Sequence, residues 1–445
     1  MKYPLHSIGD YLEESKVEAL APSAQRRIKV RLNAEGVEKR PVKTETEGAT
    51  KYFARRSRQF IYGKQNLHKG AFGIVPDELD GFESSSDLPA FDVSDEIRPE
   101  WIDLYLKQGN FYKSLISLAQ GAATKRIQPK ALFKLKIPVP PLEEQDRVIK
   151  KMEGVSLINF SLEKEISNQK SLLAKLKQAI LQEAIQGKLT ADWRAANRDT
   201  EPASKLLERI KEEKARLIAE KKIKKEKPLP EITPEETPFA IPEGWEWCRL
   251  GRLTNEITKG SSPKWQGIKY VSRGEGILFV TSKNVGSGEL LFEKTTFLEE
   301  KFNEIQPRSI LKKNDILTNL VGASIARTAL FDLDFIANIN QAVALIRIAE
   351  GFINKRLLVL YMNSNHGVEY LLDSRFSPGR ANVSLTDVSN MIVPIPPLAE
   401  QQAIVERVDA LMETCRKLED EIEQSSNHAA DLLQAVLKEA FASAS

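Results

Sequence analysis

Two stretches of the sequence concentrate side chains that could bind nucleic-acid bases and phosphates. The first, ARRSRQFIYGKQNLHKG, offers eight hydrogen-bonding side chains around one predicted turn: Arg55, Arg56, Arg58, Lys64, Gln65, Asn66, His68 and Lys69. Arginine and lysine suit guanine edges and phosphates, whereas asparagine and glutamine suit adenine. An ordinary surface loop has a similar composition, so the residues alone leave both interpretations open.

The second stretch, TKGSSPKWQG, offers comparable chemistry on a turn-rich loop between predicted strands. Its candidates are Lys259, Ser261, Ser262, Lys264, Trp265 and Gln266. Trp265 could equally be a half-buried packing residue. Later loops add further candidates, namely Lys283, Asn284, Ser324, Arg327, Arg380 and Asn382.

The basic residues are unevenly distributed along the chain. The formal net charge is only +3, but residues 25–70 contain thirteen lysines and arginines against four acids, a local excess of +9. Neutralisation of phosphates with counterion release supplies most non-specific affinity for nucleic acid, so this segment favours a DNA contact. A solvated charged surface is the alternative interpretation.

The sequence contains residues for binding but no motif for catalysis. It has no Walker A pattern, no glycine-rich dinucleotide loop and no Asn-Pro-Pro-Tyr-like methyltransferase motif. The Glu-x-Lys near Lys214 lacks a suitable Pro-Asp pair upstream and reads as part of a charged helix. Two distant cysteines and four scattered histidines predict neither a disulfide framework nor a metal site. We therefore expect no cofactor on this chain.

The sequence contains two similar copies of the segments that carry these loops. IPVPPLEEQ from Ile137 and VPIPPLAEQ from Val393 match at an offset of 256 residues, and the same offset aligns QAILQEA from Gln178 with QAVLKEA from Gln434. Two matches in one register without insertion indicate an internal duplication. Each proline pair marks the passage from a strand to a helix, because proline lacks the amide donor and restrains its predecessor.

After each proline pair, apolar residues recur at spacings of three and four and predict a coiled-coil helix. The seam of the first copy comprises Val148, Met152, Val155, Leu162, Ile166, Leu173, Leu176 and Ile180, and that of the second Ile404, Val408, Leu411, Leu418, Ile422, Ala429, Leu432 and Val436. A helix of roughly 45 residues would be about 65 Å long, the length of a spacer. We expect the two helices to pack as an antiparallel pair.

The predicted fold class is mixed α/β (α+β), with two globular domains joined by the two helices. Short β-rich runs with glycine turns alternate with helical stretches in both globular parts, whose front halves hardly resemble each other. The predicted segments are domain 1 at 1–139, helical spacer 1 at 140–227, a proline-rich linker at 228–240, domain 2 at 241–395, and helical spacer 2 at 396–445.

Composition predicts a water-soluble, cytoplasmic protein. Hydrophobic residues make up 41% and charged residues 29% of the chain. No apolar run approaches the roughly 20 residues that span a bilayer, and the first residues lack the apolar region of a secretory signal.

Taken together, these motifs resemble the specificity subunits of type I restriction-modification systems. The resemblance covers essentially the whole chain, through PEGWEWCRLGRL, NQAVALIRI, SPGRANVSLTDVSNMIVPIPPLAEQQAI, LTADWRAANRDTEPASKLLERI and FIYGKQNLHKGAFGIVPDELDGFESSSDLPAF. It departs from the family where many members carry a Gly-Gly-Thr-Pro-Ser-like segment and this chain has Gly260-Ser261-Ser262-Pro263.

The resemblance implies that each globular part is a target-recognition domain that reads one half of a bipartite, asymmetric DNA site. It also implies a non-catalytic subunit that binds double-stranded DNA, two modification subunits and restriction subunits. S-adenosylmethionine, ATP and Mg²⁺ would then bind to those partners. Two other classes stay open, a coiled-coil scaffold without DNA contact and an enzyme acting by itself. Salt-dependent DNA binding separates the scaffold, and methyl transfer without a partner would indicate the enzyme.

Overall fold

A computed structural model describes residues 3–41, 50–121, 124–225, 227–374 and 382–442. The chain folds into two compact units, of which the first is built from two separate segments and the second from one continuous segment. Unit 1 comprises residues 1–169 and 421–445, and unit 2 comprises residues 170–420. The boundaries fall inside the two long helices, so each unit holds one globular domain with part of both helices.

The described part of unit 1 contains ten short strands. They are β1 (Leu5–Ser7), β2 (Leu12–Ser15), β3 (Ile28–Val30), β4 (Val37–Lys39), β5 (Tyr52–Ala54), β6 (Phe60–Tyr62), β7 (Phe72–Ile74), β8 (Glu83–Ser85), β9 (Ala90–Val93) and β10 (Lys136–Pro138). Its helices are α1 (Pro99–Lys107), α2 (Pro129–Leu132) and the first part of α3 (Leu142–Ile185).

The main sheet of unit 1 has the antiparallel order β2-β9-β6-β7, and pairs β1-β10, β3-β4 and β5-β8 surround it. Its core is rich in aromatic residues. Trp101 of α1 is fully buried, donates its indole N–H to the carbonyl of Pro138 at 2.9 Å, and packs 4.8 Å from the ring of Phe441. Residues close to the chain's last ones therefore complete the core of the first unit.

Unit 2 contains the remaining elements. The helices are α4 (Ala191–Ala196), α5 (Ala203–Ala219), α6 (Leu250–Leu253), α7 (Lys301–Ile305), α8 (Lys355–Met362), α9 (Asn365–Ser374), α10 (Leu385–Asn390) and α11 (Leu398–Ala442), which continues into unit 1. The strands are β11 (Glu246–Arg249), β12 (Thr254–Lys259), β13 (Tyr270–Val271), β14 (Ile277–Val280), β15 (Phe297–Leu298), β16 (Asp315–Asn319), β17 (Thr328–Phe331), β18 (Ala337–Ile339), β19 (Val343–Ile348) and β20 (Ile392–Ile395).

Two four-stranded sheets form the centre of unit 2. One is antiparallel with the order β12-β19-β16-β17, and the other has the order β13-β15-β14-β18, in which β14 and β18 are parallel. Buried side chains of both sheets, among them Leu278, Ile339 and Leu345, form one hydrophobic cluster. A second cluster joins Leu206 and Ile210 of α5 to the pair β11-β20 and to α8.

The two units share one sheet topology. The order β2-β9-β6-β7 in unit 1 repeats as β12-β19-β16-β17 in unit 2, and an offset of 256 residues places β6 within β16 and β7 within β17. The front halves, whose sequences hardly resemble each other, therefore share a strand order that the sequence comparison did not reveal. The duplication includes the central sheet, although the two sequences there have diverged.

The proline motif lies where the sequence predicts it, between a strand and a long helix. β10 ends at Pro138 and α3 begins at Leu142, while β20 ends at Ile395 and α11 begins at Leu398. The helices contain 44 and 45 residues. They run antiparallel, since Lys151 pairs with Glu439 in unit 1 and Lys177 pairs with Glu419 in unit 2. The fold class is confirmed.

The apolar seam residues of the two long helices are only partly buried. Val148, Met152, Ile166, Leu173, Ile180, Ile404, Val408 and Ala429 are buried, as the periodicity predicts. Leu162, Leu176, Leu411, Leu418 and Leu432 are 38–60% exposed. Regular spacing therefore identified the correct helix face, but several seam positions retain contact with solvent.

One predicted helix is broken. The stretch from Pro99 reads as one continuous helix in the sequence, but α1 ends at Lys107 and is followed by a 3-10 segment, Gln108–Leu118. Gly109 and Asn110 have positive φ angles of 52° and 57°, a left-handed conformation that an α-helix cannot contain. The chain turns at this pair.

Among the described residues, no helix is long and apolar enough to cross a membrane.

Candidate nucleic-acid interface

Most of the predicted DNA-contacting loops leave one end of the sheet β12-β19-β16-β17, which we call the main sheet of unit 2. The residues Lys259, Ala344, Thr318 and Thr328 lie side by side in one row across all four strands. β12 and β16 end at this row, whereas β17 and β19 begin there. The loops carrying Lys264 and Arg327 therefore leave the sheet at the same end, which we call the candidate edge of unit 2.

Hydrogen bonds connect these loops at the points where they leave the sheet. The backbone N–H of Asn340 donates to the carbonyl of Val280 at 3.1 Å, and that of Gly288 donates to the carbonyl of Thr328 at 2.8 Å. The side-chain amide of Asn319 donates to the carbonyl of Ser282 at 2.9 Å. The loop carrying Lys283 thus lies beside the one carrying Arg327.

The loop that follows β12 is compact at its base and exposed at its tip. A Cβ on Gly260 would lie 1.7 Å from the carbonyl oxygen of Ile339, so only glycine fits there. The amide of Gln266 donates to the hydroxyl of Ser261 at 3.0 Å, which closes the turn. Trp265 at the tip is 90% exposed, so the alternative of a packing residue is wrong.

Exposure separates the other candidates of unit 2. Lys259, Lys264, Lys283 and Arg327 are exposed, while Ser261, Ser262 and Ser324 are half-buried. Four basic side chains and one indole can therefore reach a ligand at this edge. Arg380 lies outside the described residues. Asn382 is exposed, and the next residue, Val383, donates its N–H to the carbonyl of Leu320 at the edge (3.1 Å).

Asn284 requires a correction, because it lies inside the loop and is only 3% exposed. Its amide oxygen accepts from the backbone N–H and the hydroxyl of Thr281 at 2.9 and 3.0 Å. Its NH₂ donates to the carbonyls of Leu291 and Lys294 at 3.0 and 2.9 Å. With both ends of the amide engaged, Asn284 shapes the loop and has no free group for a base.

Unit 1 presents an equivalent edge. Ser15, Ala90, Ile61 and Gly73 form one row across its main sheet, and the turn between β6 and β7 leaves from it. That turn carries Lys64, Gln65, Asn66, His68 and Lys69. Ile127 donates its N–H to the carbonyl of Lys64 at 2.8 Å, the same contact that Val383 makes with Leu320 after an offset of 256 residues.

The turn between β6 and β7 is polar and electropositive. Lys69 is exposed, and Lys64, Gln65, Asn66 and His68 are half-buried. The pKa of His68 is lowered from its ordinary value by burial and then by the positive charges of Lys69 and Lys125. The positive charges of Lys69 and Lys125 beside this turn would attract an anion such as a phosphate.

Three residues near this edge were missed by the sequence analysis. Lys125 and Arg126 precede Ile127. Lys125 is exposed, whereas Arg126 is half-buried and lies 3.4 Å from a carboxylate oxygen of Asp87. The repeat offset could have revealed them, since it aligns them with Ala381 and Asn382 next to Arg380. Leu20, on the loop after β2, is fully exposed, and no sequence signal marked it.

Arg55 was predicted on a surface loop, but it is buried and 1% exposed. Its guanidinium donates to the hydroxyl of Ser84 at 2.7 Å and to the carbonyls of Ser15 at 2.8 Å and Leu88 at 3.3 Å. Burial lowers the pKa of Arg55 to about 10. This side chain holds three segments of unit 1 together and is enclosed by them.

Arg56 and Arg58 lie at the opposite end of β6 from Lys64, so the predicted cluster around one turn is split in two. Arg56 donates to Asp92 at 2.7 Å, and Arg58 lies 3.0 Å from a carboxylate oxygen of Glu100. Both side chains are more than half exposed. Their charges are nevertheless compensated, and they do not share the edge with Lys64 and Lys69.

The site has the chemistry of binding. Among the residues that the structure describes, no cluster of histidine, cysteine, aspartate or glutamate could hold a metal ion. Each edge instead offers exposed cations, amides and one large apolar side chain on neighbouring loops.

Comparison with known proteins supports a DNA-related role for these domains. Residues 90–169 and 242–425, more than half of the chain, match the family model described as the type I restriction modification DNA specificity domain. The chain is 30% identical over 393 residues to the type I restriction enzyme EcoAI specificity subunit of Escherichia coli, a match covering 76% of this chain and 64% of that subunit. It is 25% identical over 341 residues to the MjaVIII specificity subunit of Methanocaldococcus jannaschii, covering 74% and 69%.

Two solved structures share the fold. A chain from a type I R-M system, studied for its complex assembly and conformational transition, superposes with a TM-score of 0.64 at 18% identity, covering 99% of this chain and 97% of the other. The HsdS subunit from Thermoanaerobacter tengcongensis gives a TM-score of 0.52 at 18% identity, covering 99% and 96%.

Proposed function

Because the chain belongs to the type I restriction modification DNA specificity family, we propose that it selects the DNA sequence on which a modification and restriction complex acts. The observation that carries this proposal is the repeated edge. Each unit has a four-stranded sheet with the same strand order, and loops rich in lysine, arginine and amides leave the equivalent end of each sheet. A scaffold protein without DNA contact has no need of two such edges.

We assign one half of a bipartite, asymmetric DNA site to each unit. In unit 1 the proposed contacts are Lys64, Gln65, Asn66, Lys69, Lys125 and Arg126, and in unit 2 they are Lys259, Ser261, Lys264, Trp265, Lys283, Ser324, Arg327 and Arg380. Lysines serve mainly to bind phosphates, whereas arginines and amides can also read base edges. Different side chains on one shared backbone would allow the two units to read different half-sites.

The proposed subunit has no catalytic activity and works with partners. It would place two modification subunits over the target adenine, which they flip out of the duplex and methylate with S-adenosylmethionine. Restriction subunits would add ATP- and Mg²⁺-dependent translocation and cleavage. Support for this division of labour comes from the family and from a sequence without catalytic motifs.

Methylation-sensitive sequencing tests the proposal. DNA from cells that make this protein together with its neighbouring methyltransferase is compared with DNA from cells that make the methyltransferase alone. We expect a split, asymmetric adenine-methylated motif only in the first case. If both proteins are made and associate but no motif depends on this chain, the scaffold interpretation replaces the proposal.

Substitutions in one unit sharpen the test. Changing Lys64, Asn66 and Lys69 together to alanine removes polar groups from the edge of unit 1, and changing Arg56 and Arg58 to alanine removes charges from the opposite end of β6. We expect the first variant to lower methylation through its half-site. The second variant is the control and should keep the wild-type motif.

A further inference from the structure

Gln145 and Gln401, the glutamines of the two proline motifs, are fully buried at 0% exposure. A buried amide must satisfy both its oxygen and its NH₂ group, since an unpaired polar group is costly away from water. Both groups are satisfied in each unit through two equivalent hydrogen bonds, and Gln145 Nε2 also donates to the carbonyl of Glu96 at 3.3 Å.

The amide oxygen holds the start of a helix in the globular domain. In unit 1, Gln145 Oε1 accepts the backbone N–H of Arg98 at 2.8 Å, and Arg98 immediately precedes α1. In unit 2, Gln401 Oε1 accepts the backbone N–H of Asn354 at 2.8 Å, and Asn354 immediately precedes α8.

The amide nitrogen holds the start of the long helix. Gln145 Nε2 donates to the carbonyl of Pro140 at 2.8 Å, and Gln401 Nε2 donates to the carbonyl of Pro396 at 3.0 Å. The glutamine itself lies in the first turn or so of α3 or α11. One side chain therefore connects the helix of the recognition domain to the beginning of the spacer helix.

Other links between these segments differ between the two units. Arg98 forms an ion pair with Asp146 in unit 1, whereas the equivalent residues of unit 2, Asn354 and Gln402, share an amide hydrogen bond. Unit 2 adds an ion pair between Arg356 and Asp409. These pairs are solvent-exposed, and exposed ion pairs contribute little to rigidity or stability. The buried glutamine is the link that the two units share atom for atom.

We infer that Gln145 and Gln401 are positioning residues that set the angle between each recognition domain and its spacer helix, and thereby the number of base pairs tolerated between the two half-sites. This inference rests on the proposed function. The glutamines touch no DNA; they act through the backbone of α1 and α8. Loosening either clamp should widen the range of accepted gaps while leaving the half-site sequences unchanged.

The test uses the full-length protein in complex with its modification subunits. Methylation rates are measured on duplexes with the wild-type gap and on duplexes with one base pair added or removed. Gln145→Met and Gln401→Met keep the side-chain length but remove both hydrogen-bonding groups. Gln169→Met, at an exposed position of α3, is the matched control.

We expect the preference for the wild-type gap to fall roughly tenfold in both clamp variants, because small misplacements of bound groups have large effects on rate. The control should keep the full preference. A uniform loss of rate on all duplexes, with the gap preference unchanged, would mean that the glutamines are merely structural and would overturn the inference.

Two further measurements keep the outcomes separate. Gln145→Glu can still accept the N–H of Arg98 but can no longer donate to Pro140, so its gap preference should fall less than that of Gln145→Met. If Gln145→Met does not fold, Gln145→Glu replaces it in the test. Failure of the proposed function has a different signature, since the wild-type complex would then show no sequence-dependent methylation on any duplex.

Discussion

Trp265 is 90% exposed, whereas Arg55 is 1% exposed, although both residue types occur in the candidate loops of the sequence. Exposure decides which of them can meet a ligand. An indole at the tip of a closed turn is available for stacking on a base, while a guanidinium with three internal acceptors is not available to a phosphate.

Trp265→Ala should weaken DNA binding without affecting the fold. Stacking of a base on an aromatic ring contributes about 1–3 kcal/mol, so we expect a loss of affinity in that range. The measurement is fluorescence anisotropy with a labelled duplex containing the methylated motif. Trp265→Phe, which keeps a ring, should recover part of the loss. Unchanged affinity with alanine would remove Trp265 from the interface.

Arg55→Met should instead act on stability. It leaves the carbonyl of Ser15 and the hydroxyl of Ser84 without their charged donor inside unit 1, and we expect a loss of about 3 kcal/mol or more in the free energy of unfolding. Chemical denaturation measures this loss.

The salt dependence of DNA binding separates the two roles. Lys69→Ala removes an exposed cation and should reduce the slope of log affinity against log salt by about one, with no change in stability. Arg55→Met should leave the slope unchanged. A reduced slope for Arg55→Met would indicate that Arg55 does contact a phosphate.

Some features of the candidate loops could be predicted from the sequence alone, and others could not. Composition and spacing correctly placed Lys264 and Trp265 on a turn, because glycine and proline mark turns directly. Lys259 is instead the last residue of β12. Burial of Arg55 depends on Ser84, which is 29 residues away. Asn284 has a local partner in Thr281, but its NH₂ group binds Leu291 and Lys294, 7 and 10 residues away, and no local pattern encodes these distant contacts.

At the scale of elements, the long helices were predictable and the sheets were not. The apolar seams of α3 and α11 extend over about nine turns each, so the helical period recurs at many positions and is easily recognised in the sequence. β6 and β7 contain three residues each, too few for an alternating pattern to show. The shared sheet therefore emerged only from strand pairing, after the sequences had diverged.

The junction between α4 and α11 gives a prediction for pH. The guanidinium of Arg407 donates to both carboxylate oxygens of Asp192, and this hydrogen bonding lowers the pKa of Asp192 from 3.8 to about 2. A lowered pKa in the folded state means that the pair stabilises the fold above the ordinary pKa. The stabilisation is lost as the pH falls towards 2.

Asp192→Asn should therefore lower Tm at neutral pH, and the difference from the wild type should shrink between about pH 5 and pH 2. Differential scanning calorimetry at several pH values measures it. Asp431→Asn, at an exposed position of α11, serves as the control. A Tm difference that persists at pH 2 would show that the charge of Asp192 is not its source.

For the whole molecule, helix length should determine the spacing of the DNA site. Four residues inserted between Gln169 and Lys170, and four between Asp420 and Glu421, lengthen each helix by about 6 Å. This length corresponds to roughly two base pairs at 3.4 Å per pair. We expect the methylated motif to keep both half-sites and to acquire a longer gap.

Sequencing of methylated DNA reads the gap directly. The insertion sites fall at the boundaries between the units, so the internal contacts of each unit are preserved. Insertion into α3 alone is the control, and it should abolish methylation because the paired helices then differ in length. An unchanged gap in the double insertion would exclude the helices as the ruler.

The discontinuous core of unit 1 also affects how the protein is made. Trp101 and Met152 pack with Leu437 and Phe441, so about 290 residues separate Met152 from its last core neighbour. At roughly 5–20 residues per second, a ribosome needs about 15–60 seconds to synthesise that stretch. Throughout this interval the nascent first domain lacks part of its core, and its apolar face is open to chaperones or to misassociation. Chaperones that cover this apolar face during synthesis should therefore increase the yield of correctly folded subunit.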